Sequence, residues 1–105
     1  MNKELKSFSY KQSGGFAGIS KVYETEFSAL DQADREKLEG AIKLSGILKV
    51  KTVSKKTPRA ADMFQYDFTV VDDSTHQATY DDGALPADFR YLFYFARAPA
   101  INAKR

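Results

Sequence analysis

The sequence predicts an α+β domain of two layers, with an antiparallel sheet of two hairpins covered on one face by two main helices. Three observations carry this. Residues alternate along MFQYDFTVV, with Phe64, Tyr66, Phe68 and Val70 on one face and Gln65, Asp67 and Thr69 on the other; this is the two-residue period of a half-buried strand. Leu38, Ala41, Ile42 and Ser45 recur instead at the 3.6-residue period of a helix. The elements follow the order ββαββα, which gives each hairpin a helix to pack against.

The elements read as follows. Leu5 to Lys11, LKSFSYK, alternates with Phe8 and Tyr10 on one face. Ile19 to Phe27, ISKVYETEF, is again extended; Ile19, Tyr23 and Phe27 share a side and Val22 is out of phase. The glycine-rich stretch between them makes the pair a hairpin whose loop exceeds the favoured two residues, so a bulge or wide loop is expected. Asp31 is placed as an N-cap, with Asp34 and Glu36 near the positive end of the following helix. Gly46 stands where that helix must stop, with Ile47 and Leu48 free to fold back over its end.

Lys49 to Pro58 carries four lysines and a proline and reads as a solvated loop, with a weak edge strand around Val50 and Val53. Its basic residues are not interleaved with stacking aromatics, which argues against nucleic acid. After Met63–Val71, Asp72-Asp73-Ser74 is turn material, and Thr75 to Tyr80 returns with Ala78 and Tyr80 inward. Asp81-Asp82-Gly83 ends that strand. Pro86 suits the first position of a second helix, which turns Phe89, Leu92, Phe93 and Ala96 to one face. Pro99 ends it, and the last residues are expected to fray.

Composition narrows the class of function. The 105 residues suit one modest core, so residues 1–105 are expected to form a single domain with frayed ends. An apolar fraction of 43% with eight Phe and six Tyr supports a folded chain. Sixteen basic against fourteen acidic residues leave a formal charge of only +2, no push toward nucleic acid or a membrane surface. Without cysteine there is no disulfide, thiolate nucleophile or cysteine metal site. No stretch approaches the roughly 20 apolar residues of a membrane span. The start, MNKELKSF, lacks the apolar run of a signal peptide, so the cytoplasm is the expected address.

Catalytic signals are sparse. His76, the one histidine, has no recognisable nucleophile or orienting partner and reads as a structural or surface residue. Asp72 and Asp73 fall at a turn, Asp81 and Asp82 most of a strand length away, and neither pair has the spacing of an EF-hand loop. Asp81 or Asp82 is suited to satisfying backbone donors where the chain turns. No phosphate loop is present, because SGGFAGI lacks GxxxxGK[ST]. What stands out is SGGFAGI itself. Its glycines permit positive φ or close approach, and Phe16 either caps the core edge or is held out as an anchor for a partner.

SGGFAGI, the helix around DREKLEGAIKLSGI, then FQYDFTVVDD and YDDGALPADFRYL together resemble the emfourin family, over about Tyr10 to Leu92. Its members are small inhibitors of thermolysin-like zinc metallopeptidases. Ser13 through Ile19 match one family motif; Asp81, Asp82, Gly83, Ala84, Leu85 and Pro86 match the other. The resemblance implies a cytoplasmic bacterial protein that is not an enzyme and has no cofactor or metal of its own. Its partner would be a thermolysin-like, protealysin-like peptidase, blocked one to one at the substrate cleft, with the zinc belonging to the target. The implied contact loop is Ser13, Gly14, Gly15, Phe16, Ala17, Gly18 and Ile19, with Phe16 as pocket anchor. Asp81, Asp82 and Gly83 come second, supporting the loop or meeting positive groups of the enzyme. The alternative is an adaptor or structural interaction domain with no peptidase target, in which these residues would look much the same.

Overall fold

The structure, a computed structural model, describes residues 4–14, 20–55, 64–97 and 101–103. Strands β1 (Ser7–Gly14) and β2 (Ser20–Glu26) form the first hairpin and lead to helix α1 (Gln32–Ser45). Strand β3 (Thr52–Lys55) follows, then the second hairpin of β4 (Phe64–Val71) and β5 (Thr75–Asp81). Helix α2 (Arg90–Arg97) and strand β6 (Ile101–Ala103) complete the order. Single 3₁₀ turns occupy Phe27–Ala29, Ile47–Lys49 and Ala87–Phe89.

The sheet runs β3-β5-β4-β1-β2-β6. Both expected hairpins are present, and β1 joins them by pairing antiparallel with β4 from Ser7↔Val71 to Gly14↔Phe64. Two features depart from the ββαββα expectation. β3 adds to β5 in parallel, so the sheet is mixed rather than antiparallel. Residues Ile101–Ala103, expected to be frayed, pair with β2 as β6. Both are short edge strands held by backbone hydrogen bonds. An edge strand needs few apolar side chains, and β3 supplies one, the half-buried Val53.

The core forms where the alternation of the strands meets the helical stripes. Phe8, Tyr10, Tyr66, Phe68, Val70, Ala78 and Tyr80 are buried from the sheet, and Leu38, Ala41, Ile42, Phe89, Leu92 and Ala96 from the helices and the turn before α2. Burying one side chain of the size of Leu38 or Phe68 contributes about 1.5–3 kcal/mol. The ring contacts fix how this last segment crosses the sheet. Phe89 lies on Tyr80 and Phe68, Phe93 on Tyr66 and Tyr10, and Phe95 on Tyr23. The chain therefore passes from β5 toward β2 along α2, and α1 packs beside it.

Local signals explain the ends of α1. The Asp31 carboxylate accepts the Asp34 amide at 2.8 Å, satisfying one of the free donors of the first turn. Gly46 closes the helix at φ 77°, in the left-handed region that favours glycine. Ile47 then folds under it and is buried.

Candidate functional site

The two motif segments singled out in the sequence converge on one end of the sheet. β1 ends at Gly14 and β2 restarts at Ser20, so both roots of the SGGFAGI loop lie there. β4 begins at the same end, with Phe64 opposite Gly14. On the other flank of β4 the Asp82 amide donates to the Phe64 carbonyl at 3.2 Å. Gly14, Phe64 and Asp82 thus form one row across β1, β4 and the turn after β5. Two interstrand spacings separate the outer members, about 10 Å.

Each motif residue has a defined place in this row or lies beyond it. Ser13 is half-buried opposite Gln65, and Gly14 is exposed with φ 95°. That angle in the left-handed region explains glycine at the loop root. Gly15, Phe16, Ala17, Gly18 and Ile19 lie outside the described residues. Asp81 is buried at the last position of β5, where its carbonyl accepts the Ala84 amide at 3.1 Å and closes the turn. Gly83 is exposed in that turn.

Asp82 is exposed, yet its carboxylate is not free to wander, because the Tyr66 hydroxyl donates to its Oδ1. Tyr66 is in turn held from below. Its ring is 4.9 Å from that of Phe93 and stacks on Tyr10 at 6.4 Å, centroid to centroid. The core therefore fixes the direction of a surface carboxylate at the motif end. Across the ladder from Tyr66, burial pushes the Tyr80 hydroxyl above its ordinary pKa, since the phenolate would lose its hydration.

Phe64 belongs to this end too, although the alternation of its strand points to the core. It is 39% exposed, while Tyr66 and Phe68 on the same face are 5% and 0% exposed. Phe64 is the first residue of β4, at the end of the sheet, and the sequence, which reads the strand from Met63, gives no sign of this.

The opposite end holds the remaining polar residues, and structural roles account for them. His76 is buried, with Nδ1 2.5 Å from the Val50 carbonyl and Nε2 3.0 Å from Asp72 Oδ1. The ring thereby ties the segment before β3 to the β4–β5 turn, while Asp72 also accepts the Ser74 amide at 2.8 Å. The two aspartate pairs stand at opposite ends of β5 and do not meet. Between α1 and this end lies an open cavity of about 1130 Å³ whose lining includes Lys6, Glu26, Arg35, Glu39, Lys43 and His76. Its mixed charges favour no one class of ligand.

Among the described residues no group of three or more His, Asp or Glu is placed to hold a metal ion. No helix among them is long and apolar enough to cross a membrane. No curated protein and no solved structure matches the chain. A family model does, over residues 10–97, a span that contains the whole Gly14–Phe64–Asp82 row. The chain belongs to the Emfourin family, a family of inhibitors.

Proposed function

We propose that this protein inhibits a thermolysin-like zinc metallopeptidase in the cytoplasm, one molecule to one, by seating the Ser13–Ile19 loop in the substrate cleft. The observation that carries this reading is the meeting of both motif segments at one end of the sheet in a chain of the Emfourin family. Phe16 is the anchor, filling an apolar pocket of the enzyme, and Gly14, Gly15 and Gly18 allow close backbone approach.

The fold suits such a role physically. Both loop roots are fixed: β1 is paired on its two sides by β2 and β4, and β2 by β1 and β6. Roots held this way reduce the ordering cost of binding. Inhibition without cleavage requires that the loop offer a side chain to a pocket while its peptide bonds stay out of the geometry for attack. Asp82, aimed by Tyr66, then presents a fixed acceptor for a positive group of the enzyme. Residues of this chain bind and block; the zinc and its water belong to the target.

Phe16→Ala tests the reading. It should weaken inhibition by at least tenfold, about 1.4 kcal/mol, and leave the melting temperature unchanged. Loss of inhibition matched by an equal loss of stability would return Phe16 to the core and remove it as the anchor.

A further inference from the structure

We propose that Phe64 is a second apolar anchor of the same peptidase-binding surface, packing against the wall of the cleft beside the loop; this rests on the inhibitor reading above. Burial along the inner face of β4 falls away only at this residue, from 0% exposure at Val70 and Phe68 through 5% at Tyr66 to 39% at Phe64. Its neighbours explain why. Across the β1 ladder stands Gly14, which has no side chain to cover it. On the other flank the Asp82 carboxylate is drawn toward Tyr66. Among the described residues no aromatic ring lies against Phe64, although Tyr66 and Phe68 of the same strand both pack into the aromatic core.

A buried Phe is ordinary and a lone exposed one needs no explanation by itself. Phe64 differs through where it is fixed. Its carbonyl accepts the Asp82 amide and its backbone pairs with the root of the loop, so little backbone freedom remains to be lost on binding. The ring thus belongs to the residue directly across the ladder from Gly14. The chemistry that fits is an apolar wall with a cationic or hydrogen-bond-donating group about one strand spacing away, toward Asp82. Among the described residues the other large exposed apolar side chains, Leu44, Tyr91 and Tyr94, sit on helices. Leu44 is on α1, whose Arg35, Glu39 and Lys43 line the cavity at the opposite end of the sheet, and so serves as a control.

The test is the inhibition constant of Phe64→Ala, Phe64→Leu and Leu44→Ala against a thermolysin-like peptidase cleaving a short fluorogenic peptide. Phe64→Ala should raise the constant at least tenfold, Phe64→Leu should restore most of the loss, and Leu44→Ala should stay within twofold of the native protein. A Phe64→Ala value within twofold overturns the proposal while native inhibition leaves the inhibitor reading standing. Absence of inhibition by the native protein overturns both. A second measurement does not depend on the stability of the alanine variant. The chain has no cysteine, so Phe64→Cys carries a single environment-sensitive dye. Its emission should shift to the blue on saturation with the peptidase, and that of a dye on Leu44→Cys should not. An unmoved signal at position 64 in an inhibited complex overturns the proposal.

Discussion

Removing the Tyr66 hydroxyl tests whether the core aims the Asp82 carboxylate. In Tyr66→Phe the ring keeps its contacts with Phe93 and Tyr10, so that packing contribution survives while the hydrogen bond to Asp82 is lost. A hydrogen bond to a charged group contributes about 1.5–3 kcal/mol where both partners are desolvated. Asp82 is exposed, however, and water replaces the hydroxyl as its donor, which brings the expected cost down to about 1 kcal/mol. For a chain of this length that corresponds to roughly 4–8 °C in melting temperature. Asp82→Ala should cost a similar amount, and the double variant little more than either, a coupling of about 1 kcal/mol in a double-mutant cycle read by urea unfolding. Additive single costs, with no coupling, would refute the bond's role. A loss above about 3 kcal/mol for Tyr66→Phe would show that the hydroxyl serves the core rather than the surface.

Two glycines of the α1 region should respond in opposite directions. At Gly40, inside the helix and exposed, an added Cβ meets nothing within 4 Å, so Gly40→Ala should stabilise by about 0.5–1 kcal/mol in thermal or urea unfolding. At Gly46 the space is equally open but φ is +77°, so Gly46→Ala should destabilise by about 1–2 kcal/mol through backbone conformation alone. Tyr80 predicts an alkaline limit. Its folded pKa lies above the unfolded value near 10, so stability from this group is complete below about pH 10. It declines above that, as the unfolded chain releases a proton that the folded one retains, by at most about 1.4 kcal/mol per pH unit. The stability difference between native protein and Tyr80→Phe, followed by unfolding from about pH 8 to 11, should stay flat to about pH 10 and then move in favour of the variant.

The parts of this fold that were legible in the sequence are those where one residue type does one physical task. The α1 stripe Leu38, Ala41, Ile42 and Ser45 is the set that is buried, Asp31 caps, and Gly46 stops the helix. Phe8, Tyr10, Ala78 and Tyr80 point inward as their alternation requires. β3 and β6 were obscure because backbone pairing makes them, and backbone groups are the same in every residue. The lysines that surround Val53 read as a loop and also suit an exposed edge. At the candidate site, the motifs were visible as strings, but their meeting was not. It depends on β1 pairing with β4, a contact between segments distant in the chain that no local pattern encodes. Phe64 was hidden for the opposite reason: its pattern is that of a core residue, and only its place at the end of the sheet exposes it.

Inhibition is tested most directly by the residual activity of a purified thermolysin-like peptidase titrated with this protein on a short fluorogenic peptide. A sharp loss of activity that ends near one equivalent is expected, with the inhibitor recovered uncleaved. Full activity of a cognate peptidase in the presence of folded protein at several equivalents would contradict it.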